Sequence, residues 1–227
     1  MIMMSSVEYA LVHAGRRLEI LRGVELAVAA GEIVALTGPS GSGKSSLLAL
    51  IAGVEHPTAG SIRVGGMELV GRSQDELARL RRSRMGIVFQ DFHLIPTLTA
   101  LENVALPLEL SGTPEAMDRA RLMLDQVGLR DRADHRPLEM SGGEQQRVAI
   151  ARAFVARPAL ILADEPTGNL DLETGGRIME LLFRLARSWH AAMVLVTHNP
   201  ELADRADRHY RLDGGTLQKM APRDNPS

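Results

Sequence analysis

Residues 33–50 read IVALTGPSGSGKSSLLAL, and this stretch decides the fold. Ile33–Thr37 is a short apolar run typical of a buried strand, and Lys44–Gly53 has the pattern of a helix that ends near a glycine. Between them, Gly38–Ser45 has the spacing G-x-x-x-x-G-K-[ST]. In such a loop, backbone N–H groups and a helix N-terminus converge on phosphate. The stretch therefore predicts an α/β fold that binds a nucleoside triphosphate.

The composition narrows the kind of protein. A chain of 227 residues is long enough for one domain, or for one domain with an added lobe. The net charge of −2 gives no reason to expect nucleic acid as a partner, and the absence of cysteine excludes disulfides and thiolate metal sites. The start lacks the features of a secretory signal, and no apolar run approaches the roughly 20 residues that cross a bilayer. We expect a soluble chain whose membrane role comes through a partner.

Periodicity and turn residues predict the remaining elements. The predicted strands are Val24–Val28, Ser61–Val64, Met85–Phe89, Leu160–Ala163 and Met193–Val196, with a hairpin of Arg208–Leu212 and Thr216–Met220. The predicted helices are Gln74–Arg82, Thr99–Leu110, Pro114–Val127, a helix from Ser141 to about Ala156, and Leu172–Trp189.

These elements predict a single domain over residues 1–220, followed by a polar tail at 221–227. Its core, residues 1–90 and 158–220, has a mainly parallel sheet and an N-terminal antiparallel β portion. A helical lobe is inserted at about 91–157. Parallel strands joined by helices place ligand-binding loops at the carboxyl ends of the strands.

The strand Leu160–Ala163 ends in two carboxylates, Asp164 and Glu165. An acidic pair at a strand tip is as often a solvated loop as a functional site. Together with the phosphate loop, the pair indicates hydrolysis: Asp164 would hold Mg²⁺, and Glu165 would orient and polarise the attacking water.

Three further features are ambiguous by themselves. Ser141 followed by Glu144 has the form of a capping box at a helix start. Gln90 and His198 each follow a predicted strand, where a single Gln or His is usually structural. Their order along the chain gives them a second interpretation.

The motifs occur in the order found in ABC transporter ATPases. They are Gly38–Ser45, Gln90, Ser141–Gln145, the pair Asp164-Glu165, Asn169–Asp171 and His198. The resemblance covers essentially the whole chain. Within that family, Phe89–Val104 and Ala163–Asp171 resemble the lipoprotein-releasing and macrolide-export branch (LolD/MacB-like), and in particular the YbbA-type ATPases.

The resemblance implies a phosphate-loop ATPase fold that uses ATP and Mg²⁺. It implies Lys44, Glu165 and His198 as catalytic residues and Ser45, Gln90 and Asp164 as metal ligands. The implied ATP-binding residues are Gly38, Pro39, Ser40, Gly41, Ser42, Gly43, Lys44, Ser45, Ser46, Gln90, Ser141, Gly142, Gly143, Glu144 and Asp171.

The resemblance also implies partners. Ser141 and Gly143 would contact the γ-phosphate held by a second copy of the chain, which gives a homodimer with ATP at its interface. The dimer would power a separate membrane permease, of export type or of lipoprotein or lipid extraction type, from the cytoplasmic face of the membrane. Independently of the resemblance, Phe92–Leu98 is apolar for a loop and lies next to Gln90. This segment is either a docking surface for a cytoplasmic helix of the membrane subunit or part of the core of the lobe.

Two alternatives stay open: an ATP-gated regulator of an envelope complex, and an ABC ATPase outside transport. The chain also departs from the family in two places. Met140 stands where leucine is usual, and Leu11–Gly15 lacks the aromatic residue on which many relatives stack adenine. Tyr9 lies slightly upstream, and His13 is a candidate substitute.

Overall fold

The computed structural model describes residues 1–13 and 16–221. The strands are β1 (Ile2–His13), β2 (Arg16–Val28), β3 (Ile33–Thr37), β4 (Ala59–Val64), β5 (Met67–Glu68), β6 (Met85–Val88), β7 (Leu160–Asp164), β8 (Ala192–Val196), β9 (Arg208–Asp213) and β10 (Thr216–Lys219). The helices are α1 (Lys44–Ile51), α2 (Gln74–Arg84), α3 (Ala100–Leu110), α4 (Ala116–Gln126), α5 (Gly142–Phe154), α6 (Leu172–Ser188) and α7 (Pro200–Ala203). Short 3₁₀ turns lie at Arg130–Arg132 and Pro137–Glu139.

The chain divides into two compact units. One contains residues 1–81 and 192 onward, and the other contains residues 82–191. No helix in the described part of the chain is long and apolar enough to cross a membrane. The predicted tail beyond residue 221 lies outside the described residues, and the lobe at 91–157 stays a prediction.

The first unit contains an antiparallel sheet with the strand order β2-β1-β4-β5. Its strands β1 and β2 form a long hairpin, of which the sequence predicted only Val24–Val28. The pairing of β1 with β2 shifts register between Met4 and Val7, again between Val7 and Tyr9, and once more between Tyr9 and Ala10. These irregularities interrupt the two-residue alternation by which a half-buried strand is recognised. The antiparallel β portion expected at the N-terminus is confirmed.

A second set of strands in this unit runs in the order β10-β9-β3-β8. The central strand β3 pairs in parallel with both β8 and β9, and the hairpin of β9 and β10 is antiparallel as predicted. Ile33–Leu36 have no exposed surface, which explains the unbroken apolar run. Because Leu36 lies opposite Val196, β3 and β8 end at the same edge. The glycine loop and His198 both leave from that edge.

The second unit contains the parallel pair β6 and β7 and most of the helices. Val88 lies opposite Ala163, so these strands also end at one edge, and Gln90 and the acidic pair follow them. Helices α3, α4 and α5 pack against one another, and α5 also contacts α6. The α/β class, with an antiparallel and a mainly parallel part, is confirmed.

Candidate active site

The glycine loop connects β3 to α1 through backbone conformations that exclude side chains. Gly38 has φ 148°, and a Cβ there would lie 2.1 Å from the carbonyl oxygen of Leu212. Gly43 caps α1 with φ 100° and ψ 11°, and its Cβ would lie 2.9 Å from Cγ2 of Ile20. Both values fall in the left-handed region that glycine adopts without strain. The two outer glycines of the motif are therefore required by the fold itself.

Lys44 is the first residue of α1, and only 5% of its surface is exposed. Its Nζ donates to the carbonyl oxygen of Gly38 at 3.0 Å and to that of Pro39 at 2.9 Å. The ammonium group is thus folded over its own loop. Ser45 is exposed on the same helical turn, and Ser46 is half-buried.

The start of α1 is suited to an anion. Its first turn contains no acidic residue, so no carboxylate competes with a bound anion for the positive end of the helix dipole. The hydroxyl of Ser42 is buried and makes no hydrogen bond within the described residues. A buried donor of this kind is satisfied by an incoming acceptor such as phosphate oxygen.

The predicted histidine lies at the edge where β8 ends. Thr197 is buried, and its hydroxyl accepts a hydrogen bond from the backbone N–H of Asn199 at 3.0 Å. This bond bends the chain around His198, whose side chain is exposed. Asn199 then caps the short helix α7.

The acidic pair lies at the end of β7, and both carboxylates are half-buried. Glu165 has φ 45°, a left-handed conformation that is uncommon for a residue with a side chain. The turn is closed by the N–H of Gly168, which donates to the carbonyl oxygen of Glu165 at 3.0 Å. Strained backbone of this kind is found at functional sites, where it aims a side chain.

Gln90 lies close to the turn that follows the acidic pair. Its Nε2 donates to Oδ1 of Asn169 at 3.2 Å. Nδ2 of Asn169 in turn donates to Oδ1 of Asp91 at 2.7 Å and to the carbonyl oxygen of Gln90 at 3.3 Å. Gln90 is therefore joined to Asn169, two residues before Asp171.

The predicted capping box of α5 is confirmed. The Ser141 hydroxyl accepts from the N–H of Glu144 at 3.3 Å, while Oε2 of Glu144 accepts from the Ser141 N–H at 2.8 Å and from its hydroxyl at 2.9 Å. Arg132 donates to Oε1 of the same carboxylate at 3.1 Å. The hydrogen bond from the Ser141 backbone, helped by that from its hydroxyl and by Arg132, holds the pKa of Glu144 below its usual value.

Asp171 caps α6. Its Oδ1 accepts from the N–H of Thr174 at 3.0 Å, and this bond lowers the pKa of Asp171. Thr174 also lies close to the start of α5, because a Cβ on Gly143 would be 2.7 Å from its Cγ2. The second unit thus brings the starts of α5 and α6 together.

Two residues with no predicted role fix the segment after Gln90. Arg152 donates to the carbonyl oxygens of His93 at 2.6 Å and Phe92 at 2.8 Å, and burial lowers its pKa. Both acceptor residues are left-handed, with φ 46° and 58°. The two N–H groups of the fully buried Asn103 side chain are shared among three carbonyl oxygens, those of Ile95, Leu98 and Thr99. Arg152 lies about sixty residues from its acceptors, so no local pattern reveals its role.

The structure shows how exposed the residues are near the position where many relatives stack adenine on an aromatic ring. Tyr9 is 4% exposed, so its ring face is not presented to solvent, and burial raises its pKa. Leu11, two residues further along β1, is 44% exposed. The suggested role of His13 concerns a side chain outside those that the structure describes.

Comparison with known proteins identifies relatives along nearly the whole chain. The profile of the ABC transporter family matches residues 21–168. The chain is 52% identical over 206 residues to the ABC transporter ATP-binding protein YbbA of Escherichia coli (strain K12). The alignment covers 90% of each chain. It is 45% identical over 219 residues to the lipoprotein-releasing system ATP-binding protein LolD of Legionella pneumophila (strain Paris), covering 95% of this chain and 96% of LolD.

Solved structures of ABC cassettes are similar to this chain over nearly its whole length. A dimeric structure of the cassette MJ0796 matches with a TM-score of 0.91 at 39% identity, covering 99% of this chain and 100% of that one. A dimeric post-hydrolysis state of MJ0796 bound to ADP and Pi matches with a TM-score of 0.90 at 38% identity and the same coverage. The resemblance noted in the motifs is thereby confirmed. The chain belongs to the ABC transporter family, as an ATP-binding and ATP-hydrolysing subunit.

Proposed function

We propose that the chain works as a homodimer that closes on ATP and drives a separate membrane permease of the export or lipoprotein-extraction type. The observation that carries the proposal is the exposed Ser141 at the start of α5, a second helix N-terminus besides that of α1. Unlike α1, α5 has an acidic residue in its first turn, Glu144, which accepts a hydrogen bond from the Ser141 hydroxyl in the free chain. The relatives support it: MJ0796 is a dimer, and LolD belongs to a lipoprotein-releasing system.

The glycine loop binds the triphosphate in this account. Backbone N–H groups of Gly38 and of residues 40–46 surround the β- and γ-phosphates, and Lys44 transfers its hydrogen bonds from the carbonyl oxygens of Gly38 and Pro39 to phosphate oxygens. The buried hydroxyl of Ser42 gains an acceptor at the same time. Lys44 then neutralises the charge that develops during transfer of the γ-phosphoryl group.

The predicted metal ligands have the chemistry that Mg²⁺ prefers. Ser45, Gln90 and Asp164 offer a hydroxyl, an amide and a carboxylate oxygen. No group of three or more His, Cys, Asp or Glu in the described residues could hold a metal ion alone. When bound, Mg²⁺ neutralises charge on the β- and γ-phosphates.

Hydrolysis is assigned to Glu165. Glu165 follows β7 with a left-handed backbone, and in this proposal its carboxylate orients and polarises the water that attacks the γ-phosphate. His198 contacts the γ-phosphate from the end of β8. Gln90 senses the same phosphate and passes its presence to the helical lobe at about 91–157.

Dimer closure is assigned to the motif Ser141–Gln145, called the signature below. Ser141, Gly142 and Gly143 cap the γ-phosphate held by the other copy, and Asp171 lies in the loop between the two ATP sites. In the free chain the Ser141 hydroxyl donates to Glu144, so it must rotate to donate to phosphate. Loss of the γ-phosphate after hydrolysis returns this bond to Glu144 and reopens the dimer.

The permease is proposed to dock on residues 92–98. In this segment His93, Ile95, Pro96 and Thr97 are exposed, and Arg152 and Asn103 hold its backbone in place. Such a rigid surface suits a helix from a membrane subunit. The chain would then lie at the cytoplasmic face of the membrane, attached through the permease.

Co-purification tests the proposal. The chain is expressed with the membrane protein encoded beside it, and the complex is isolated in detergent. We expect a stable complex whose ATPase activity differs from that of the chain alone by several-fold. The variant Ile95→Arg should weaken the complex and leave the activity of the isolated chain unchanged. Failure to recover any membrane partner under native expression would contradict the proposal.

A further inference from the structure

We propose that Asn169 is a positioning residue for Gln90, and that it orients the Gln90 amide so that Oε1 is presented to Mg²⁺. The inference rests on the proposed function, in which Gln90 is a ligand of the metal. Asn169 lies in the motif Asn169–Asp171, but none of the assigned catalytic, metal-binding or ATP-binding roles falls on it. Asn169 would act only through Gln90.

The chemistry of Asp91 fixes the direction of the hydrogen bonds. A carboxylate only accepts, so the group that Asn169 turns toward Asp91, at 2.7 Å, must be its NH₂. The carbonyl end of Asn169 then faces Gln90. Since a carbonyl oxygen cannot donate, Gln90 must offer its own NH₂ to Asn169, as observed at 3.2 Å. The Gln90 oxygen, the only atom of that amide that can ligate a metal, is consequently directed away from Asn169.

The backbone beside Asn169 is shaped for Gln90. A Cβ added to Gly168 would lie 2.8 Å from Nε2 and 2.9 Å from Cδ of Gln90. The amide therefore lies directly over Gly168, closer than a side chain at that position would allow. The positive φ values that glycine favours do not occur at Gly168. Alanine there is consequently compatible with the backbone and displaces only the end of a flexible side chain.

The readout is the gain in nucleotide affinity that Mg²⁺ provides. The Kd for a fluorescent, non-hydrolysable ATP analogue is measured with Mg²⁺ and again in EDTA, and the ratio of the two values is compared between variants. The value in EDTA reports on the glycine loop, which is expected to be unaffected. This readout needs no turnover.

Two variants test the positioning. We expect Asn169→Ala to reduce the Mg²⁺-dependent gain by about tenfold, the lower end of what loss of an outer-shell partner costs. Gly168→Ala should act in the same direction, because it displaces the Gln90 amide. The matched control is Gly176→Ala in α6, where an added Cβ meets nothing within 4 Å. It should leave the ratio unchanged.

Gln90→Ala separates failure of this inference from failure of the proposed function. If Gln90→Ala leaves the Mg²⁺-dependent gain intact, Gln90 is not a metal ligand, and the inference falls together with the metal-ligand set of the proposed function, while the ATP-closed dimer is tested separately. If Gln90→Ala reduces the gain while Asn169→Ala and Gly168→Ala do not, only the role of Asn169 is overturned. In support of the inference, the double variant Gln90→Ala/Asn169→Ala should be no worse than Gln90→Ala.

A swap of the two partners provides a rescue. Asp91→Asn combined with Asn169→Asp again joins one amide to one carboxylate, and the carboxylate at position 169 still accepts from Gln90. The net charge is unchanged. We expect this double variant to recover most of the Mg²⁺-dependent increase in nucleotide affinity that Asn169→Ala loses. A swap as impaired as Asn169→Ala would contradict the hydrogen-bond directions.

Discussion

Gln146 of α5 donates from Nε2 to the carbonyl oxygen of Pro166 at 2.6 Å. The side chain has no exposed surface, and the same atom lies 3.4 Å from the carbonyl oxygen of Phe89. The helix that begins at Ser141 is thereby fixed to the turn that follows Asp164 and Glu165. A buried amide thus joins the helix that begins at Ser141 to the turn after the acidic pair, within one unit.

The first prediction concerns this amide. Gln146→Ala should lower the free energy of unfolding by about 1–3 kcal/mol, because the buried carbonyl of Pro166 loses its donor. Urea unfolding measures the change. Gln126→Ala, at an exposed position of α4, is the control and should stay within about 0.5 kcal/mol of the unsubstituted chain. Equal stability of the two variants would show that the Gln146 contact contributes nothing.

The second prediction concerns pH. The pKa of Glu144 is lower in the folded chain than in the unfolded chain. Its contribution is therefore fully present above the unfolded value, about 4.3, and is lost as the pH falls through the folded value. Glu144→Gln keeps an acceptor for the Ser141 N–H but does not titrate.

We expect the stability difference between the unsubstituted chain and Glu144→Gln to be below about 1 kcal/mol at pH 7, since the Arg132 pair is partly exposed. The difference should shrink between about pH 5 and pH 3. Unfolding by urea across this range measures it, with Glu109→Gln on the exposed face of α3 as the control. A difference that stays constant with pH would contradict the assigned role of Glu144.

The local motifs could be predicted from the sequence because their signals coincide. Around Lys44, an apolar run, the spacing of the glycines and a helix pattern all indicate a strand, a loop and a helix. The bounds of the observed strand and helix agree with the predicted ones to within two residues. Around Ser141, the cap and its reciprocal Glu144 are only three residues apart. Such contacts are encoded within a single turn of chain.

The rest depends on contacts between distant residues. Gln146 lies 20 residues from Pro166, and Arg152 lies 59 from His93, so neither partner is visible in a local window. The hairpin of β1 and β2 was missed for a different reason. Its bulges break the alternation, and Leu11 and Leu18 are exposed although they are apolar.

The third prediction tests whether the ATP sites are shared between two copies. Lys44→Ala lacks the phosphate grip, and Ser141→Arg lacks the cap, so each variant alone should neither dimerise on ATP nor hydrolyse it. When the two are mixed, one site of the mixed dimer pairs an intact Lys44 with an intact Ser141. Because neither variant dimerises alone, every dimer that forms is mixed and has one complete site of two, so equimolar mixing should restore at most about half of the unsubstituted activity.

Two measurements check the mixture. One is ATPase activity, and the other is the ATP-dependent capture of the untagged Ser141→Arg chain by a tagged Lys44→Ala chain. Recovery of ATPase activity or of ATP-dependent capture excludes ATP sites that are built within one copy. If ATPase activity and ATP-dependent capture both stay at the level of the separate variants, the signature does not act across a dimer.

The central claim is that ATP joins two copies and that Glu165 removes the γ-phosphate. The most direct measurement is the mass of Glu165→Gln in solution, by light scattering, with and without ATP and Mg²⁺, together with its rate of hydrolysis. The account predicts that the mass doubles on addition of ATP while hydrolysis is lost, because the amide cannot take a proton from water. A variant that stays monomeric with ATP, or one that hydrolyses ATP at the unsubstituted rate, would contradict it.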